Sequence, residues 1–197
     1  PLNPLYRRDL ALLYLELAPR ASDPKMRNRY LAASLTEIES GLRMKPHDPY
    51  LLFLRGRAHI LMGDIRRGEA SLQQALREDS LMLLVAYRDL SNIYFQKKEY
   101  QAVASLIQPI LEVYSREAFG SILWINPYKE DAKKDIADLW VRFGLAKIGL
   151  KDEAGAKDAF QNAIFFSPEE GRASRWLACL KKSHLDFEIF RGCFNVQ

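Results

Sequence analysis

The stretch from Trp140 to Pro168, WVRFGLAKIGLKDEAGAKDAFQNAIFFSP, decides how this chain is read. Trp140, Phe143 and Gly144 are three and four residues apart, so they share one face of a helix. Further on, Ala156, Phe160 and Ala163 repeat the same spacing, and Pro168 closes that second run. The small residues have a physical purpose. Two helices cross closely only where glycine or alanine meets its counterpart, while Trp140 and Phe160 fill the gaps to either side.

Working outward, the same offsets recur at Leu52, Gly56, His59, Gly68, Leu72 and Ala75, with Gly63-Asp64 as the turn between the two helices. A further copy follows 35 residues on: Tyr87, Leu90, Ser91 and Tyr94 open it, Lys98-Glu99-Tyr100 turns the chain, and Val103, Ile107 and Ile110 line its second helix. The first copy is stretched. Leu10, Ala11 and Tyr14 fit its first helix, and Ser34, Ile38, Gly41, Leu42 and Pro46 fit its second, with a break over Ala18 to Pro24. Asp23 before Pro24 reads as a helix cap followed by proline at the first position, so a long second helix is expected from near Lys25 to about Lys45. The third and fourth copies are separated by extra residues, Ala118 to Ile136. Pro109 must kink or restart its helix; continuation to Leu123 is expected, then a break at Asn126-Pro127 and a run from Lys129 into the fourth copy. The organisation that follows is a single domain over 1–197, with repeats at about 4–48, 49–83, 84–117 and 137–170. An insertion at 118–136, a capping helix at 171–185 and a tail at 186–197 complete it. Arg172, Arg175, Lys181 and Lys182 make the last helix amphipathic, as a solvating cap requires. The tail is apolar enough to pack on the last helices or on a partner.

This pattern resembles the tetratricopeptide repeat family over residues 4 to about 185. The resemblance implies an all-α, right-handed superhelical solenoid of antiparallel helix pairs. It also implies a non-catalytic role, a partner peptide or helix being held in a concave groove. The groove positions of that family correspond here to Leu5, Arg8, Leu12 and Leu15; Tyr50, Phe53, Arg57 and Ile60; Val85, Arg88, Asn92 and Phe95; and Asp138, Val141, Leu145 and Ile148. Arg8, Arg57 and Arg88 are expected to pair with carboxylates of a bound segment, and Tyr50, Phe53 and Phe95 to contact its apolar residues. Arg88 and Asn92 resemble half of a grip on a terminal carboxylate. Asp138 stands where the other half needs a base, although Arg142 is close by in sequence. A rival site is the insertion, where Trp124 and Tyr128, with Lys129, Lys133 and Lys134, form either a recognition loop or a spacer that tucks Trp124 into the core.

Other classes find little support. The chain carries 29 basic and 25 acidic residues, net +4, interspersed with only short doublets; no tract marks nucleic-acid binding, and the mild excess fits either an incidental surplus on a solvated surface or a surface that tolerates acidic partners better than basic ones. No apolar run approaches the ~20 residues of a membrane helix. His47, His59 and His184 are scattered, without a metal-ligand partner on the same face. No phosphate loop or nucleophile elbow occurs, so neither cofactor nor metal nor catalytic residue is expected. His59 takes a slot usually held by tyrosine and is expected in the core. Cys179 and Cys193 lack any metal-binding spacing, and both pairing and two unrelated thiols fit them. The opening at Pro1, without an initiator methionine or signal pattern, suggests a piece of a longer chain. The alternative function is an assembly module, with a homodimer through the tail. That reading extends to the soluble tail of a larger bacterial envelope or polysaccharide-assembly protein. The compartment stays open.

Overall fold

A computed structural model describes residues 3–79, 84–115, 129–169 and 171–183. Among them the chain is helical, with no strand. Its contacts gather into two compact units, residues 1–90 and 91–197, and each is taken by itself.

The first unit contains α1 (Pro4–Leu17), α2 (Pro24–Met44), α3 (Pro49–Leu61) and α4 (Ile65–Glu78). A short 3-10 turn, Ala18–Arg20, lies between α1 and α2. Three of these helices begin the same way. Asn3, Asp23 and Asp48 accept hydrogen bonds from the first-turn amides of α1, α2 and α3, and a proline follows each at the first helical position. Proline suits that place because its missing N–H has no partner there anyway. Asp64 caps α4 through the Arg67 amide at 3.0 Å.

Helix α1 packs on α2 and α3 on α4. In the second pair a Cβ built on Gly56 or on Gly68 would stand 3.1 Å from the other glycine's carbonyl oxygen. That backbone-to-backbone approach leaves no room for a side chain. In the first pair Ser34 takes a close-packing place, and its hydroxyl donates to the Ala11 carbonyl at 2.9 Å. A buried hydroxyl is tolerated there because it has found an acceptor.

Helix α5 (Leu84–Gln96) contains the boundary between the units. The second unit continues with α6 (Tyr100–Val113), α7 (Lys129–Gly149), α8 (Glu153–Phe166) and α9 (Arg172–Ser183). Its core joins Val141 and Ile148 of α7 to Ala156, Phe160 and Ala163 of α8 and to Ala173 and Leu180 of α9. A Cβ on Gly144 would lie 2.6 Å from the Phe160 ring, which is fully buried.

Three helix-to-helix turns share one device. Gly63, Lys98 and Lys151 all have positive φ, at 86°, 59° and 61°. In each, the amide of that residue donates to the carbonyl three back, and the next amide to the carbonyl five back, as Lys151 to Ile148 and Asp152 to Lys147. This is the Schellman ending that a left-handed residue closes.

Several expectations shift. Helix α2, Pro24–Met44 behind its Asp23 cap, matches the long helix expected there, but α6 ends at Val113, so the helix expected to run from Pro109 to Leu123 stops early. Its remainder lies outside the described residues. Lys129 to Ile136, counted with the insertion, are the first turns of one continuous helix that runs to Gly149. Lys133 and Lys134 are therefore helical and not part of a loop. The cap spans Arg172–Ser183. Trp124, Tyr128, Cys193 and the tail proposed as a dimer contact lie outside the described residues, while Cys179 packs half-buried against the second core.

Candidate functional site

In the first unit, Tyr50, Phe53 and Arg57 are three and four residues apart and so share one face of α3. The rings of Tyr50 and Phe53 meet edge to face at 5.8 Å. Arg57 lies over the Phe53 ring at 5.7 Å, and Arg8, reaching from α1, lies over Tyr50 at 5.0 Å. Guanidinium groups are attracted to ring faces, which carry the negative lobe of the quadrupole. Phe53 is only 2% exposed and serves as a floor beneath Arg57. The arginine side chains keep 36% (Arg8) and 40% (Arg57) of their surface in solvent.

Asp89 ties Arg88 to this cluster. Its carboxylate lies 3.5 Å from Arg57 Nε and 3.6 Å from Arg88 Nε. Arg8 has Asp9 at 3.4 Å. The role of Asp89 was not read from the sequence, where the only hint was an acid next to Arg88. Nor was the ion pair of Arg7 with Glu37 at 2.6 Å, in which Arg7 Nε is buried without a partner.

In the second unit the structure brings Asn92 and Arg142 together. Arg142 Nη1 donates to Asn92 Oδ1 and to Ser91 Oγ, and Nε donates to Asp138 Oδ2 at 2.7 Å. Asp138 also has Arg172 at 3.4 Å. Asp138, Asn92 and Ser91 thus already take the Nε and Nη1 donors of Arg142, and a ligand carboxylate would compete with them for this side chain. Phe95 sets its ring edge to face with Tyr100 at 6.2 Å. Val141 and Ile148, expected along the groove, are buried in the core of this unit instead. The reason is α9, whose Ala173 and Leu180 join the same cluster.

His59 is half-buried, less enclosed than expected. Desolvation pulls its pKa below the usual value, against the raising effect of nearby Asp64. Among the described residues no three His, Cys, Asp or Glu gather to hold a metal ion, and no helix is long and apolar enough to cross a membrane.

No family model matches the sequence, and no curated protein does. Solved structures do resemble it. MamA from Desulfovibrio magneticus, residues 41 to its end, superposes with a TM-score of 0.59 at 18% identity, covering 94% of this chain and 92% of that one. PilF from Pseudomonas aeruginosa gives 0.62 at 12% identity over 96% of this chain and 75% of its own. Both are tetratricopeptide-repeat proteins, and this chain shares their fold, an all-α helical solenoid.

Proposed function

We propose that the chain is a non-catalytic scaffold that binds an acidic peptide segment, and that Arg8, Tyr50, Arg57 and Arg88 of the first unit form the contact. The tetratricopeptide fold supports a protein-interaction role in general. One observation carries the finer reading: two half-exposed arginines are held over adjoining aromatic rings on one face of α3. With Nε turned to Asp9 or Asp89, an arginine so placed still offers its terminal N–H donors to a carboxylate while losing less rotamer freedom on binding. Arg8 and Arg57 each have one neighbouring acid, Asp9 at 3.4 Å and Asp89 at 3.5 Å, and both side chains stay partly in solvent, where an acidic segment could reach them.

Fluorescence anisotropy with a labelled peptide rich in Asp, Glu and aromatic residues, beside its Asn/Gln counterpart, tests this. The acidic peptide should bind more tightly, with the difference shrinking as salt rises above about 0.15 M. Arg57→Ala should weaken it by about tenfold. Equal binding of the two peptides, or an Arg57→Ala protein with unchanged affinity, would overturn the reading.

Self-association is a second reading. Leu5, Tyr6 and Leu13 of α1 are each about half exposed, an apolar surface that a second copy would cover.

A further inference from the structure

Helix α7 has a second functional-looking face. Trp140, Phe143 and Lys147, three and four residues apart, line an open cleft of about 530 Å³ between α6, α7 and α8, all within the second unit. That volume is in the range of small-ligand sites, about 300–1,000 Å³. Trp140 and Phe143 meet edge to face at 6.1 Å and make an aromatic wall, which Leu111 extends from α6.

The charges lining the cleft decide what it would take. Lys147 is neutralised by Asp152 at 2.9 Å and rests over Phe143 at 5.3 Å. Glu112 of α6 and Asp158 of α8 remain, both negative, in a chain whose net charge is +4. Each is oriented by an amide on its own helix. Gln108 Nε2 donates to Glu112 Oε1 at 3.0 Å, and Asn162 Nδ2 donates to Asp158 Oδ2 at 3.2 Å. The second oxygen of each carboxylate has no partner among the described residues.

We propose that this cleft is a second recognition site, which takes an arginine or lysine side chain of a separate polypeptide. Glu112 and Asp158 pair with the cation, and the Trp140 face packs on its alkyl stem. The site goes beyond the function proposed above. Its charge preference is opposite, and none of its residues belongs to the first unit.

The test uses the full chain, 15N-labelled, titrated with a capped tripeptide bearing a central arginine and with the same peptide bearing citrulline. Citrulline keeps the shape and removes the charge. The Trp140 indole N–H resonance, assigned with Trp140→Phe, should shift saturably with the arginine peptide and stay in place with citrulline. A Glu112→Gln, Asp158→Asn double variant should weaken the arginine peptide by about tenfold, with an unmoved Trp176 indole resonance reporting that the unit is intact. If that variant loses its fold, the arginine-against-citrulline comparison on the unaltered chain still decides. A Trp140 resonance unmoved at millimolar arginine peptide, or moved equally by citrulline, overturns the proposal. So does a dimer in light scattering that the double variant dissolves, because the occupant would then be a second copy.

Discussion

Asp152 joins local and tertiary structure through one carboxylate. Its Oδ1 accepts from the Gly155 amide at 2.9 Å, capping α8, and its Oδ2 meets Lys147 of α7 at 2.9 Å. The Lys147 bond first, and the Gly155 amide second, hold its pKa below the usual 3.8, against a smaller desolvation effect. A depressed carboxylate pKa contributes stability above the unfolded value and loses it as pH falls through the folded one. Asp152→Asn keeps a good capping residue and removes the charge, so it isolates the Lys147 contribution. Thermal melts should place this variant about 0.5–1 kcal/mol below the parent at pH 6, a modest figure because the pair is largely solvent-screened. The gap should close below pH 3.8. A gap that persists in acid would mean the loss comes from packing and not from charge.

At the scale of the helix, two features work against the local rules. Lys98 and Lys151 occupy the left-handed turn position that Gly63 fills in the first unit, a conformation costing a side chain about 1 kcal/mol. Pro109 sits inside α6 on its exposed side, where it removes a backbone hydrogen bond and crowds the preceding turn. Lys151→Gly should therefore raise stability by up to about 1 kcal/mol and Pro109→Ala by about 1–3 kcal/mol, read as denaturant midpoints at unchanged slope. A fall in either midpoint would show that the residue makes a tertiary contact outweighing its local strain.

Across the whole molecule, the division at residue 90 has a thermodynamic consequence. Each unit has helix pairs of its own, and repeat proteins are stabilised by contacts between neighbours in sequence, which lets cooperativity break down along the chain. All three tryptophans, Trp124, Trp140 and Trp176, fall in the second unit. Urea unfolding followed by tryptophan fluorescence therefore reports that unit alone, while far-ultraviolet circular dichroism reports both. The two curves should not coincide. Superimposable transitions would show that the units unfold as one.

What the amino-acid sequence determined by itself was local and periodic. The small residues at Gly56, Gly68, Gly144 and Ala156, the aromatics between them and the Asp23-Pro24 cap follow from helical geometry, and so the pairing of helices was legible. The same arithmetic put Tyr50, Phe53 and Arg57 on one face. Only the tertiary structure decided which charged partners each arginine meets, because those partners come from other helices or from neighbours whose rotamers packing selects. Asp89 between Arg57 and Arg88 and Arg8 over Tyr50 are cases of this, and so is Asp138 against Arg142. It also decided that Val141 and Ile148 belong to a core and not to a groove. A residue's spacing tells which face of its own helix it occupies, but whether water, a ligand or a neighbouring helix such as α9 covers that face depends on contacts that no single periodicity contains.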